Sequence, residues 1–264
     1  MDVGVLDAGG DERGRLTGPA LRSAIDADGG DGLFAVVASA GATNAGTVDD
    51  LVGIAEVCAE RGLWFHVDGA YGGAGLLAPS VRPLFRGVER ADSFIVDPHK
   101  WLFAPYDACA LLYRDPSVAL AAHRQTASYL ETSNAAPDWN PADYAYHLSR
   151  RARGLPLWFS LATYGTDAYR AAVEAVLDLT RQTARLIERD PTLELVMEPD
   201  LSVLLFRRRD WTADEYDAWW RRLVDAQIAF VQPTTWRGEK VARLCFINPR
   251  TTLDHVRAVL GTMT

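Results

Sequence analysis

Apolar positions fall into two patterns along the chain. Four short runs are apolar almost throughout: Phe34 to Ser39, Trp64 to Val67, Ser93 to Val96 and Ala108 to Tyr113. Such runs predict strands, and the first is continuous and apolar as a buried parallel strand would be. Between the first two runs, Leu51, Ile54, Ala55 and Cys58 recur at helical spacing. They predict a helix from Asp50 to Arg61, with Asp49 as its cap and Gly62 as its stop. A shorter helix is expected from Pro19 to Ala27, where Leu21, Ala24 and Ile25 make a stripe. Strand, helix, strand alternation implies an α/β fold with a mainly parallel sheet. Ligands of such sheets collect beyond the carboxyl ends of the strands.

The pattern changes after residue 114. Periodicity is weak up to residue 150, and Glu131 to Pro141 reads as a loop, either a lid or surface filler. A long helix is expected from about Asp167 to Glu188, stopped by Pro191. Leu201 to Phe206 predicts a strand, Ala213 to Gln227 a helix capped by Thr212, and Ile228 to Val231 and Val241 to Ile247 two more strands. The expected organisation is a partial large domain over 1–160, then a linker helix and small C-terminal α+β domain over 161–264.

Composition removes several classes of function. Hydrophobic residues make up 48% and charged residues 23%, as in ordinary globular proteins. A formal net charge of -8 leaves no basic excess for nucleic acid. No run of 18 apolar residues suggests a membrane span. The N-terminus lacks the basic start and apolar stretch of a signal peptide, so a cytoplasmic location is expected. Cys58, Cys109 and Cys245 show no metal-ligand spacing, and buried free thiols are expected.

The candidate chemistry lies just past two of the strands. Asp68 ends Trp64-Phe-His-Val-Asp, and Lys100 follows Ser93-Phe-Ile-Val-Asp-Pro-His. An amine and a carboxylate on neighbouring strand ends are what pyridoxal phosphate chemistry requires. The amine forms a Schiff base with the aldehyde, and the acid keeps the pyridine nitrogen protonated. Pro98 before Lys100 and Trp101-Leu-Phe103 after it suggest an enclosed amine. Each residue also has a plain reading: a solvated lysine, a turn aspartate. Ala70 with Gly69, Gly72 and Gly73 leaves room beside a flat ring or packs a tight turn. Thr43, in the loop Gly41 to Thr47, offers a hydroxyl to the ring or to its own turn. Strand alternation puts His66 on the same face as Asp68.

These residues carry a resemblance. Gly41-Ala-Thr-Asn-Ala-Gly-Thr-Val-Asp49, His66-Val-Asp-Gly-Ala-Tyr71 and Ala91-Asp-Ser-Phe-Ile-Val-Asp-Pro-His-Lys-Trp101 closely resemble, in order and separation, the PLP-dependent group II amino-acid decarboxylases. Fainter similarity runs through Arg151-Ala-Arg-Gly-Leu-Pro-Leu-Trp158 to the C-terminus. The resemblance implies a fold-type-I transferase-like fold, pyridoxal 5'-phosphate as cofactor, an L-amino acid as substrate and a homodimer. It implies that Lys100 carries the internal aldimine, that Asp68 pairs with the pyridine nitrogen, and that Thr43 and Ala70 line the cofactor. His99 is implied to help hold cofactor and substrate, and Tyr129, on a mobile loop, to protonate the carbon after carbon dioxide leaves. Two departures stand out. Asp97 occupies a position where many relatives have asparagine near the phosphate. No counterpart of the long N-terminal portion of relatives is visible in residues 1–33, so the chain is expected to be the C-terminal part of a decarboxylase. Other PLP chemistry, or a non-catalytic dimerising remnant, are the alternatives.

Overall fold

The computed structural model describes residues 4–124, 140–145 and 147–264. Helix α1 (Gly18–Asp28) is capped by the Thr17 hydroxyl, which accepts the Ala20 N–H at 3.3 Å. Strand β1 (Ala35–Ser39) leads through the Gly41 to Thr47 loop into α2 (Leu51–Arg61) and β2 (Trp64–Asp68). Short 3₁₀ turns fill the stretch to β3 (Ser93–Val96), and β4 (Ala110–Tyr113) and α3 (Pro116–His123) follow. The order of this first sheet is β1-β2-β3-β4. β1, β2 and β3 run parallel, and β4 returns antiparallel to β3. The carboxyl ends of the three parallel strands therefore share one edge.

Helix α4 (Leu155–Arg189) is broken at Gly165, whose φ of 76° and ψ of 162° suit only glycine. It starts earlier than its spacing predicts because Leu155, Trp158, Phe159 and Tyr164, in its first part, are exposed and form no buried stripe. The second sheet, order β5-β6-β8-β7, is antiparallel throughout. It comprises β5 (Leu193–Leu195), β6 (Val203–Arg208), β7 (Thr234–Trp236) and β8 (Glu239–Cys245), with α5 (Ala213–Asp225) and α6 (Leu253–Leu260). Thr212 and Glu215 form a reciprocal capping box on α5. The strand expected over Ile228–Val231 does not form. β7 lies further on, where Arg237 and Gly238, at φ of 51° and 84°, make the two-residue reversal that pairs Trp236 with Glu239.

Among the described residues, only one face of the first sheet is covered. Val36, Ala38, Phe65 and Val67 pack under Leu51, Ile54, Ala55 and Cys58 of α2. On the other face the register sets Val37 beside His66 and Ser93. Val37 is 62% exposed there, and Phe34, just before β1, is 64% exposed. The burial expected of the run Phe34 to Ser39 is thus corrected to burial on one face of β1. The same apolar core continues through Trp101, Val173, Ile187, Leu204, Phe206 and Trp219, so both sheets share it. Of the cysteines, Cys58 is buried, whereas Cys109, just before edge strand β4, and Cys245, at the end of β8, are exposed.

Asp49 is not the cap of α2. Asp50 is, accepting the Gly53 N–H at 3.1 Å. Asp49 is buried, and its carboxyl accepts the N–H groups of Ser39 at 2.6 Å and Leu16 at 2.8 Å. It closes the base of the Thr43 loop. Burial outweighs these donors and pushes its carboxyl from 3.8 up to about 6. A raised carboxyl binds its proton more tightly in the folded chain than in the unfolded one. The resulting stability is present below pH 4 and lost as pH rises through 6, about 3 kcal/mol for a shift of this size. Asp49→Asn is expected to remove this component. In urea unfolding, wild type should lose about 3 kcal/mol relative to the variant between pH 3 and pH 7; parallel pH profiles would refute the assignment.

Candidate active site

Two turns meet at the carboxyl edge of the parallel strands. The first follows β2: Asp68 Oδ1 accepts the Ala70 N–H at 2.9 Å, an Asx turn that reverses the chain. The second follows β3. Its Asp97 N–H donates to the Ala70 carbonyl at 2.9 Å, which docks one turn on the other. Within it, the Lys100 N–H donates to the Asp97 carbonyl at 2.9 Å and the Ala104 N–H to the Pro98 carbonyl at 3.0 Å. Phe103 completes the turn at a φ of 59°, a left-handed conformation that costs a non-glycine residue about 1–2 kcal/mol. Trp101, fully buried, anchors the turn in the core. Gly69, Gly72 and Gly73 serve packing: a Cβ on each would meet the Phe94 ring at 2.5 Å, the Ala40 carbonyl oxygen at 2.0 Å and the Phe94 ring at 2.8 Å.

The Lys100 amine lies 2.9 Å from the Asp97 carboxylate. Its side chain is 42% exposed, so the enclosure suggested by Pro98 and Trp101 is not realised; the apolar neighbours turn into the core and the amine turns out. Asp68 is exposed at the end of β2. The Cys109 thiol reports on this neighbourhood. Burial raises it, Asp97 raises it further, Lys100 opposes and Asp68 adds to the rise. Asp97, Lys100 and Asp68 thus each act on the Cys109 thiol. The amine and the acid both lie at the carboxyl edge of the neighbouring parallel strands β2 and β3.

The histidines are oriented by their own contacts. His99 Nδ1 lies 2.5 Å from the Ala108 carbonyl oxygen and 3.1 Å from the Ala108 N–H nitrogen, so the Ala108 peptide fixes that side of the ring, and the ring meets Tyr106 edge-on at 4.6 Å. On the open sheet face, Trp64 Nε1–H donates to Ser93 Oγ at 2.9 Å. The Ser93 hydroxyl also hydrogen-bonds His66 Nδ1 at 2.7 Å, which orients the ring. Burial lowers the His66 pKa and the Asp68 charge acts against that.

Thr43 is exposed on the loop after β1, at the same edge. Its carbonyl and that of Asn44 accept Arg243 Nη2 and Nε at 2.7 and 3.0 Å, and the Asn44 side chain bonds Thr234 and Thr235. Arg243 and Asn44 escaped sequence reasoning because their partners lie some 200 positions apart. One further signal was available. The chain has only two lysines among its 27 Lys and Arg residues: Lys100, and Lys240, which is paired with Asp217 at 2.8 Å. Tyr129 lies outside the described residues. Among the described residues no group of three or more His, Cys, Asp or Glu side chains is arranged to hold a metal.

The family model of the pyridoxal-dependent decarboxylase conserved domain matches residues 1–209. The chain belongs to the pyridoxal-dependent decarboxylase family. This decarboxylase-family chain is 31% identical over 261 residues to the aromatic-L-amino-acid decarboxylase of Bacillus atrophaeus, covering 95% of the chain and 54% of that protein. It is 33% identical over 243 residues to the histidine decarboxylase of Drosophila melanogaster, covering 91% of the chain and 29% of that protein. Its fold matches that of Oryza sativa TDC, solved with PLP and tryptamine, at a TM-score of 0.88 and 28% identity, over 97% of this chain and 56% of that one. The chain therefore has the fold of the PLP-dependent decarboxylases. It spans about half the length of the aromatic-L-amino-acid decarboxylases it matches.

Coupling across the open face of this decarboxylase-family sheet can be measured directly. Removing the Asp68 charge withdraws the influence that favours charged His66. In Asp68→Asn, the pH midpoint of the His66 ring resonances is expected to fall below that of wild type. An unmoved midpoint would mean that the two side chains do not sense each other.

Proposed function

We propose that this chain carries the cofactor-binding lysine of an enzyme that decarboxylates an L-amino acid to an amine and carbon dioxide with pyridoxal 5'-phosphate. One observation carries the reading: Lys100 and Asp68 sit on two turns docked together at the carboxyl edge of neighbouring parallel strands. Family membership supports it. When bound, the cofactor supplies a protonated ring that takes up the electron pair left as carbon dioxide departs.

The residues present fit the ring end of that group. Asp68 uses one carboxylate oxygen on the Ala70 N–H, and no other described side chain bonds it. Its other oxygen would hold a proton at the ring nitrogen. Lys100 would hold the cofactor's carbonyl carbon, and Ala70 and Thr43 would line the ring. His99, with its Nδ1 edge held against the Ala108 backbone, would present Nε2. Tyr129 is proposed as the proton donor to the substrate carbon, on the resemblance alone. Asp97 is an anion beside the amine, so the cofactor's phosphate would lie away from it. The names of relatives span aromatic amino acids and histidine, so the proposed substrate class is an L-amino acid. A homodimer in the cytoplasm completes the proposal. Among the described residues, no helix is long and apolar enough to cross a membrane.

The test is direct because the chain has only two lysines. Pyridoxal phosphate is added and the adduct is fixed with borohydride. Mass spectrometry is expected to find it on Lys100 and not on Lys240, and the visible absorbance of the bound cofactor is expected to vanish in Lys100→Ala. Equal labelling of both lysines would sink the reading. With an L-amino acid supplied, release of the amine supports decarboxylation, and release of a keto acid or an aldehyde overturns it.

A further inference from the structure

Four chain segments meet at Tyr71, a residue to which the site chemistry assigns no role. It follows Ala70 in the turn after β2. Its ring stacks on Trp101, beside Lys100, with centroids 5.3 Å apart and planes 13° from parallel. Its hydroxyl bonds the Ser202 hydroxyl and accepts the Ser202 N–H at 3.0 Å, just before β6 of the second sheet. Ser202 is fully buried. The fourth neighbour is Gly41, which opens the Thr43 loop. A Cβ there would sit 3.0 Å from the Tyr71 ring and 2.7 Å from the Gly72 Cα, and the backbone holds a φ of 113°.

Other contacts tie the second sheet to the Thr43 loop: Arg243 on the Thr43 and Asn44 carbonyls, and Asp200 on the Val48 N–H at 3.0 Å. None of these reaches the lysine turn. Tyr71 touches the Asp68 turn through its own backbone, the Lys100 turn through its ring and the second sheet through its hydroxyl. We propose that Tyr71 is a positioning residue: stacked on Trp101 and bonded to Ser202, it fixes the separation of Asp68 and Lys100 and couples that separation to the C-terminal sheet.

Ring and hydroxyl make separable contributions. Tyr71→Phe keeps the stack and removes the bonds to Ser202. Tyr71→Leu removes both. The inference rests on the pyridoxal phosphate reading only for one probe, so two measurements are used.

The first is hydrogen exchange of the chain without cofactor. Tyr71→Leu is expected to speed exchange together at the Asp97 and Lys100 amides and at Gly41 and Ala42, about tenfold or more, while α5 keeps its protection. Tyr71→Phe is expected to restore protection at Asp97 and Lys100 and to leave Ser202 faster than in wild type. A side chain that served only general stability would raise exchange in α5 as well.

The second is borohydride trapping with pyridoxal phosphate. Adduct at Lys100 is expected to form at least about tenfold more slowly in Tyr71→Leu, and near the wild-type rate in Tyr71→Phe. Lys240 serves as the internal control. Should the leucine variant fail to fold, Tyr71→Met, close in volume and without a ring, replaces it. Unchanged exchange at Asp97 and Lys100 in a folded ringless variant overturns the inference. So does a phenylalanine variant as impaired at Lys100 as the leucine one. Failure of wild type to trap at Lys100 bears on the cofactor reading alone, since the exchange measurement stands without it.

Discussion

The site depends on one backbone hydrogen bond, from the Asp97 N–H to the Ala70 carbonyl. It joins the residues that follow the last paired positions of β2 and β3, Asp68 itself being held in the ladder between Ser39 and Ile95. Asp68 and Ala70 lie on one side of this bond, and Asp97, His99 and Lys100 on the other. A single peptide bond pair of this kind contributes about 1 kcal/mol net, too little to hold two loops by itself. The rest comes from burial of Trp101 beneath one turn and the Tyr71 ring stacked against it. Polar function is thus exposed at the sheet edge while its apolar neighbours are sunk in the core.

The first sheet has two unlike faces. The face under α1 and α2 is packed with aliphatic side chains and carries the stability. The opposite face carries Val37 and the ordered Trp64, Ser93, His66 relay. Parallel sheets are ordinarily covered on both sides. The curated aromatic-L-amino-acid decarboxylases that this chain matches are about twice its length, and the solved relative extends well beyond the region it shares.

The family was legible in the sequence because its signal is local. Gly41 to Asp49, His66 to Tyr71 and Ala91 to Trp101 each encode a turn just past a strand, and their order reports the alternation that makes neighbouring strands parallel. The strands over Ser93–Val96 and 64–67 could be placed for the same reason, as could the stop of α2 at Gly62. Long-range partners left no such trace. Arg243 on the Thr43 loop and Ser202 on Tyr71 join positions more than 130 apart, and nothing in either residue's neighbours announces the other. Asp49 and Asp50 could not be told apart as caps from spacing, since both precede the helix and only burial separates them.

Sequence by itself determined which chemistry is present: an amine and an acid after apolar runs, in an acidic chain with only two lysines. It also determined the kind of fold, since apolar period and turn residues are properties of short windows. Tertiary structure decided which groups meet, which sheet face stays open, and that the glycines near Asp68 pack against Phe94 and Ala40 rather than clear space for a ring. The physical reason is range. Propensity and periodicity act over a few residues, whereas the burial that sets Asp49, the stack that holds Trp101 and the guanidinium that grips Thr43 arise only when distant segments are brought into contact.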